Sequence, residues 1–140
     1  MKKKLLLIAI VFSLIIPNVS FAFSTIVAFG DSLSDTHNVY DATLGTNPAF
    51  PEYFNGRYSN GPVWVEYLAS NLSADFVNYA WGGATTSGPG FYGVPGLDMQ
   101  VGMFSGSGFT NYNNTLFTVW AGPNDFFQGS MDPISSVDNI

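Results

Sequence analysis

The stretch TIVAFGDSLSD, residues 25–35, decides the fold that we expect for this chain. Its first part, residues 25–29, is apolar or β-branched, which is typical of a buried strand. Gly30 ends that run, and the capping residues within 31–35 favour a turn that opens a helix. The stretch therefore predicts a buried strand with a polar turn at its carboxyl end.

Two later segments repeat the pattern of an apolar strand that is closed by glycine. Residues 76–80 are followed by Gly82 and Gly83, and residues 116–120 are followed by Gly122. Strands that alternate with helices in this way predict an α/β fold with a parallel sheet and right-handed crossovers. Sheets of this kind place their ligands at the carboxyl ends of the strands, where the glycine-containing turns lie.

Two helices are predicted between these strands. Pro62 suits the first position of a helix, and apolar side chains recur after it at helical spacing. That spacing predicts a buried face formed by Trp64, Tyr67, Leu68 and Leu72. The second helix covers residues 97–104, and the rest of the glycine-rich region 84–114 is interpreted as a long loop.

The amino terminus has the composition of a bacterial secretory signal. Lys2, Lys3 and Lys4 precede an apolar run, residues 5–16, and residues 20–22 offer small side chains for cleavage after Ala22. The apolar run is too short to span a bilayer. We therefore interpret residues 1–22 as a signal peptide and expect a secreted or periplasmic protein. An uncleaved anchor or a buried helix is the alternative interpretation.

The composition excludes several classes of function. The chain has 140 residues, no cysteine and one histidine, which excludes a disulfide framework, a thiol nucleophile and a zinc site built from several imidazoles. The formal net charge of -6 argues against nucleic acid as a partner, because phosphate binding needs clustered Lys and Arg. No motif implies a metal or an organic cofactor.

Three polar clusters follow the predicted strands, and each has a plain structural interpretation besides a chemical one. Ser32 can expose a nucleophilic hydroxyl, or it can act only as a helix cap. The pair Gly82-Gly83 can bring a backbone N–H close to a substrate, or it can form an ordinary tight turn. Asn124 can donate its amide to a developing oxyanion, or it can make local hydrogen bonds in a turn.

Taken together and in order, four motifs resemble the GDSL hydrolases, also called the SGNH hydrolase family. The motifs are FGDSLSD at residues 29–35, GRYSNGPVW at 56–64, NYAWGGAT at 78–85 and GPND at 122–125. The resemblance covers about residues 25–127 and is strongest with the secreted branch of lecithinase-like and haemolysin-like phospholipases. It implies a three-layer, flavodoxin-like α/β fold and a hydrolase that acts on the carboxylic esters of lipids or phospholipids.

The resemblance also implies a role for each cluster. Ser32 is expected to be the nucleophile, and the N–H groups of Ser32 and Gly83 are expected to form an oxyanion hole with the side-chain amide of Asn124. Gly82 competes with Gly83 for this role, but the small residue and the threonine that follow Gly83 favour Gly83. The acidic residues of the motifs are expected to brace turns: Asp31, Asp35 and Asp125.

The general base of the family is a histidine in a C-terminal Asp-x-x-His motif, and this sequence has no such motif. His37 is not expected to replace it, because on a helix its offset from Ser32 turns the ring about 140° away. We therefore expect residues 23–140 to be the N-terminal part of a GDSL domain, truncated after the third strand. Such a chain is expected to be almost inactive alone and to expose an apolar strand edge.

Two other classes of function stay open at the level of sequence. Aromatic residues in glycine-rich and asparagine-rich loops, such as Trp81 and Tyr92, suit a non-catalytic secreted module that binds sugar or lipid, although ordinary packing explains them too. The chain can also be an inactive gene fragment. As partners we expect an ester or lipid substrate and transient contact with a membrane surface, although the sequence offers no basic amphipathic helix for docking.

Overall fold

The computed structural model describes residues 23–129 and 132–140, so the predicted signal peptide lies outside the described residues. The strands are β1 (Thr25–Gly30), β2 (Asp75–Asn78) and β3 (Thr115–Trp120). The α-helices are α1 (Asn38–Ala42), α2 (Trp64–Leu72), α3 (Leu97–Ser105), α4 (Pro123–Phe127) and α5 (Pro133–Asp138). Single 3₁₀ turns cover Phe91–Gly93 and Tyr112–Asn114.

The three strands form one parallel sheet in the order β2-β1-β3. Strand β1 lies in the centre and is buried along its whole length, with Thr25 paired to Asp75 on one side and to Thr115 on the other. The predicted α/β fold with a parallel sheet is therefore confirmed. Because the strands are parallel, their carboxyl ends meet at one edge of the sheet, and the turns that follow them meet there as well.

Helices cover both faces of β1 and give the fold its three layers. Val27 and Phe29 pack on one face with Leu97 and Phe104 of α3. Ala28 points to the other face and packs with Val63 and Val65 at the start of α2, and partly buried Phe76 joins them. This alternation follows from the two-residue period of a strand.

The structure corrects the predicted buried face of α2. Val65 and Ala69 are the buried residues of the helix. Of the four predicted residues, Leu68 and Leu72 are half-buried, whereas Trp64 and Tyr67 are exposed. The small side chains of Val65 and Ala69 let the helix lie close to the sheet, and the larger rings of Trp64 and Tyr67 lie outside that contact. The apolar spacing alone did not distinguish these two faces.

The predicted start of α2 was also wrong, because Pro62 lies before the helix. The helix begins at Trp64, with Val63 as its N-cap residue. The carboxylate of Glu66 accepts a hydrogen bond from the N–H of Val63 at 2.8 Å. This bond satisfies a donor at the helix start and sets its first turn.

Strand β3 forms an apolar edge of the described sheet. Among the described strands it pairs only with β1, and the side chains of Phe117, Val119 and Trp120 are exposed. An exposed apolar edge is what the sequence predicts for the third strand.

Within residues 23–129 and 132–140, no helix is both long and apolar enough to cross a membrane.

Candidate active site

Ser32 lies in a tight turn directly after the carboxyl end of β1. The N–H groups of Ser34 and Asp35 both donate to the carbonyl oxygen of Asp31 at 3.0 Å. The carboxylate of Asp31 accepts the N–H of Leu33 at 2.9 Å. These bonds leave Ser32 partly exposed at the tip of the turn, and its own N–H has no acceptor among the described residues.

The carboxylate of Asp35 joins this turn to α1 and to the glycines after β2. It accepts the N–H groups of His37, Asn38 and Val39 at 2.9, 2.7 and 3.2 Å. It also accepts the N–H of Gly82 at 2.9 Å. The sequence predicts that a helix opens at residues 31–35, but the helix begins only at Asn38. Asp35 lies before this helix and accepts hydrogen bonds from its first N–H groups.

Asp31 and Asp35 are buried carboxylic acids at the centre of these contacts. Burial raises the pKa of both carboxyls above the ordinary value of an aspartate. The N–H hydrogen bonds oppose that shift, and Asp35 accepts four of them. The contacts confirm that these two residues brace turns.

The two glycines after β2 have different surroundings. The N–H of Gly82 is used by Asp35, and a Cβ atom at Gly82 would lie 2.3 Å from the ring of Tyr58. Gly83 has a φ angle of 90°, and a Cβ atom there would lie 3.1 Å from the Cβ of Phe91. No acceptor for the N–H of Gly83 is present among the described residues. Gly83, and not Gly82, therefore keeps an unused backbone donor.

Asn124 lies in the first turn of α4, directly after β3. Its side-chain nitrogen donates to the carbonyl oxygen of Ala84 at 2.8 Å, which uses one of its two hydrogens. The neighbouring carboxylate of Asp125 accepts the N–H and the hydroxyl of Thr86 at 3.0 and 2.6 Å. These bonds fix the start of α4 against the segment that follows Gly83, and they confirm that Asp125 braces a turn.

Ser32, Gly83 and Asn124 all line one cleft of about 750 Å³. The structure thus brings together three residues that come from the ends of three different strands. The cleft has polar side chains from Thr43, Asn47 and Tyr58. Its apolar side chains come from Val39, Ala42, Phe91 and Val94, with Tyr92 at the rim.

A family model described as GDSL-like lipase/acylhydrolase matches residues 26–140. The chain belongs to this GDSL family. The match includes Ser32, Gly83 and Asn124, and it confirms the family predicted from the four motifs.

Three relatives of the GDSL chain have bacterial sources. It is 38% identical over 113 residues to the phosphatidylcholine-sterol acyltransferase of Aeromonas hydrophila, a match that covers 75% of this chain and 33% of the relative. It is 39% identical over 105 residues to the thermolabile hemolysin of Vibrio parahaemolyticus, a match that covers 72% of this chain and 25% of that protein. It is 31% identical over 120 residues to the secreted effector protein SseJ of Salmonella typhimurium, a match that covers 80% of this chain and 28% of that protein. The chain thus spans about a quarter to a third of the length of these relatives.

His37 of the GDSL chain does not line the cleft of Ser32. The guanidinium of Arg57 lies 3.2 and 3.0 Å from the two ring nitrogens of His37, and it forms an ion pair with Glu66 at 2.5 Å. Burial alone would raise the pKa of Glu66. The carboxylate accepts hydrogen bonds from Arg57 and from the N–H of Val63, and it lies beside the positive charge of Arg57. Together these contacts outweigh burial and hold the pKa below the ordinary value. The imidazole is therefore held by this ion pair.

Gln100 is a buried side chain that sequence reasoning missed. Its Oε1 atom accepts the N–H of Gly30 at 2.9 Å, and its Nε2 atom donates to the carbonyl oxygens of Gly30 and Pro95 at 2.9 and 3.1 Å. Gln100 thereby ties the end of β1 to the loop before α3. The only signal in the sequence was a polar residue within a weakly predicted helix.

Asn78 and Asn38 also cross-link the turn of Ser32 to the end of β2. The side chain of Asn78 donates to the carbonyl oxygen of Ser34 at 2.7 Å. The side chain of Asn38 donates to the carbonyl oxygens of Asn78 and Ala80 at 3.2 and 2.7 Å. The turn is thus held by side-chain amides from neighbouring segments as well as by its own backbone.

Proposed function

We propose that this chain carries the nucleophile and the oxyanion hole of a serine hydrolase that cleaves lipid esters. Ser32 attacks the ester carbonyl, and the oxyanion is received by the N–H groups of Ser32 and Gly83 and by the side-chain amide of Asn124. One observation carries the proposal. Three hydrogen-bond donors with unused capacity, from three separate segments, border the same cleft as a partly exposed serine hydroxyl.

The arrangement suits acyl transfer because charge develops on the carbonyl oxygen as the tetrahedral intermediate forms. Donors held in place before the reaction stabilise that charge more than they stabilise the planar ester. The backbone and side-chain bonds of Asp35, Asn78 and Asn124 keep the segments in position. Little reorganisation is therefore needed when the substrate reacts.

A serine hydroxyl also needs a base to become an effective nucleophile. The residues that line the cleft include no histidine and no carboxylic acid, and His37 is engaged by Arg57. We infer that the base belongs to a segment beyond the 140 residues. The greater length of the relatives supports this inference.

The substrate class is inferred from the relatives and from the cleft. A relative named for phosphatidylcholine and a relative named as a hemolysin both favour a lipid ester. The cleft offers apolar side chains beside polar ones, which suits an acyl chain next to an ester group. Export is inferred from the signal-like residues 1–22, and a relative named as a secreted effector supports it.

Covalent labelling with a fluorophosphonate probe tests the proposal. The chain is measured alone and as a chimera, in which residues 23–140 are followed by the part of the Aeromonas hydrophila acyltransferase beyond the matched segment. We expect labelling of Ser32 in the chimera, no labelling in its Ser32→Ala variant, and almost none in the chain alone. Asn124→Ala is expected to lower hydrolysis of a p-nitrophenyl ester by the chimera by about 10²- to 10³-fold.

The absence of Ser32 labelling in a folded chimera contradicts the proposal. Lipid or sugar binding that survives both Ser32→Ala and Asn124→Ala, without any ester hydrolysis, supports a binding module instead. The Ser32→Ala variant keeps the turn intact, because the bonds of that turn are made by the backbone and by Asp31.

A further inference from the structure

Residues 89–95, here called the rim hairpin, form a compact loop beside the cleft. Pro89 and Pro95 pair across its base, and the N–H of Gly90 donates to the carbonyl oxygen of Val94 at 2.8 Å. The side chain of Gln100 also holds it, through the carbonyl oxygen of Pro95 at 3.1 Å. The rim hairpin is therefore an ordered wall of the cleft.

The rim hairpin rests directly on the backbone of Gly83. The N–H of Phe91 donates to the carbonyl oxygen of Gly83 at 2.9 Å. The two backbones are so close that a Cβ atom at Gly90 would lie 2.3 Å from that same oxygen. A residue at the tip of the rim hairpin is thus held in a fixed position relative to the proposed oxyanion hole.

Tyr92 stands at this tip in a left-handed backbone conformation. Its φ and ψ angles are 59° and 17°, in the left-handed region that bulky side chains rarely adopt and that glycine or asparagine adopts at lower cost. Its ring is fully exposed, although it borders the cleft of Ser32. Neither core packing nor backbone preference accounts for a tyrosine here, and strain of this kind is typical of functional positions.

The chemistry beside Tyr92 points to an apolar ligand group. Phe91 and Val94 of the rim hairpin present apolar side chains to the cleft. A tyrosine ring adds an apolar face with a polar tip, which suits contact with a hydrocarbon chain near water. Arg57 is the only Lys or Arg in residues 23–140, and it is paired with Glu66, so this part of the chain offers little attraction to anionic head groups.

We infer that Tyr92 is a specificity-determining residue that contacts the acyl chain of a neutral or zwitterionic lipid ester. This inference rests on the proposed function, because the ester carbonyl has to lie at Ser32. A long acyl chain that leaves the cleft crosses the rim hairpin and covers the ring of Tyr92. A short acyl group stays at Ser32 and does not reach the ring.

The experiment compares rates of Ser32 labelling in the chimera by two alkyl fluorophosphonates, one with a methyl group and one with a dodecyl chain. Tyr92→Asn removes the ring and keeps a residue that tolerates the left-handed backbone. We expect this variant to slow dodecyl labelling by about tenfold, because apolar contact area is lost. Methyl labelling is expected to stay within about twofold of the original rate, since the short group does not reach the ring.

Two control variants separate the ring from other effects. Tyr92→Phe keeps the ring and is expected to retain the original ratio of the two rates. Tyr67→Ala removes an exposed tyrosine from α2, outside the cleft, and is expected to change neither rate. A loss in Tyr92→Phe as large as that in Tyr92→Asn assigns the effect to the hydroxyl and contradicts an acyl-chain contact.

The remaining outcomes distinguish this inference from the proposed function. If Ser32 is labelled and the ratio of dodecyl to methyl rates is unchanged in Tyr92→Asn, the role of Tyr92 is overturned and the proposed function stands. If neither probe labels Ser32 in the folded chimera, the proposed function is overturned, and the inference about Tyr92 is overturned with it.

Discussion

At the scale of single residues, the adjacent Gly82 and Gly83 are needed for different reasons. Gly82 has no room for a side chain, because the ring of Tyr58 lies where a Cβ atom would stand. Gly83 has a left-handed φ angle of 90° that other residues rarely adopt. The motif alone marks both glycines as a turn, and only their surroundings separate a packing requirement from a conformational one.

Gly82→Ala is expected to destabilise the chain by about 1–3 kcal/mol, because the new methyl group overlaps the ring of Tyr58. Movement of that ring would disturb the hydrogen bond that the amide of Asn47 donates to its hydroxyl at 3.1 Å. Gly61→Ala is the matched control, because a Cβ atom at Gly61 meets nothing within 4 Å. Urea unfolding of both variants measures the difference, and equal stabilities would show that the Tyr58 ring yields without cost.

Glu66 gives the chain a pH-dependent contribution to stability. Its pKa in the folded chain lies below the ordinary value of 4.5. Burial opposes this shift, but the hydrogen bonds from Arg57 and from the N–H of Val63 outweigh it. The stabilisation is therefore fully present above pH 4.5 and is lost as the pH falls through the folded pKa. We expect Glu66→Gln to lower the Tm near neutral pH and to lower it progressively less below pH 4.5.

The measurement is a series of thermal unfolding curves from neutral to acidic pH. Glu52→Gln serves as the control, because Glu52 is exposed, and its Tm difference from the original chain is expected to stay small throughout. A Tm difference for Glu66→Gln that stays constant down to the lowest pH would contradict the role of the Arg57 ion pair.

At the scale of elements, the ends of strands and helices are held by side chains that are distant in sequence. Gln100 in α3 bonds both the N–H and the carbonyl oxygen of Gly30 at the end of β1. Asp35 accepts the N–H groups of Asn38 and Val39 in α1 and also the N–H of Gly82. The presence of the strands and of α3 could be predicted from local apolar patterns, whereas these contacts could not, because no local pattern encodes them.

Gln100→Leu is expected to destabilise the chain by about 2–4 kcal/mol, since it leaves the buried N–H of Gly30 and the carbonyl oxygen of Pro95 without partners. Gln128→Leu is the control, because Gln128 is exposed after α4. Chemical unfolding monitored by tryptophan fluorescence compares the two variants. A loss of stability no greater in Gln100→Leu than in Gln128→Leu would show that the bonds of Gln100 contribute nothing.

At the scale of the whole molecule, strand β3 leaves an apolar edge on the described sheet. Val119 is exposed to 46%, and it lies between Phe117 and Trp120, which are also exposed. Unpaired backbone groups next to apolar side chains favour association between copies of a chain. The three-layer arrangement of α2, sheet and α3 was predictable from the order of elements, but the degree of exposure of β3 follows from its place in the sheet.

Val119→Lys is expected to reduce concentration-dependent association of the 140-residue chain, because a charge at the strand edge opposes edge-to-edge pairing. Val101→Lys is the matched control, because Val101 has a similar exposure of 45% but lies on helix α3 and not on a strand. Light scattering over a range of protein concentrations measures the effect. Equal association of the two variants would show that the edge of β3 does not cause the association.

The sequence by itself determined the three strands, the parallel α/β class and the order of the four motifs, because short-range apolar periodicity and turn residues encode them. The tertiary structure alone decided which face of α2 is buried, where α1 begins and which glycine keeps an unused N–H. These features depend on contacts such as Asp35 to Gly82 and Phe91 to Gly83. Such contacts form only when segments far apart in the chain pack together, so no single stretch of sequence contains them.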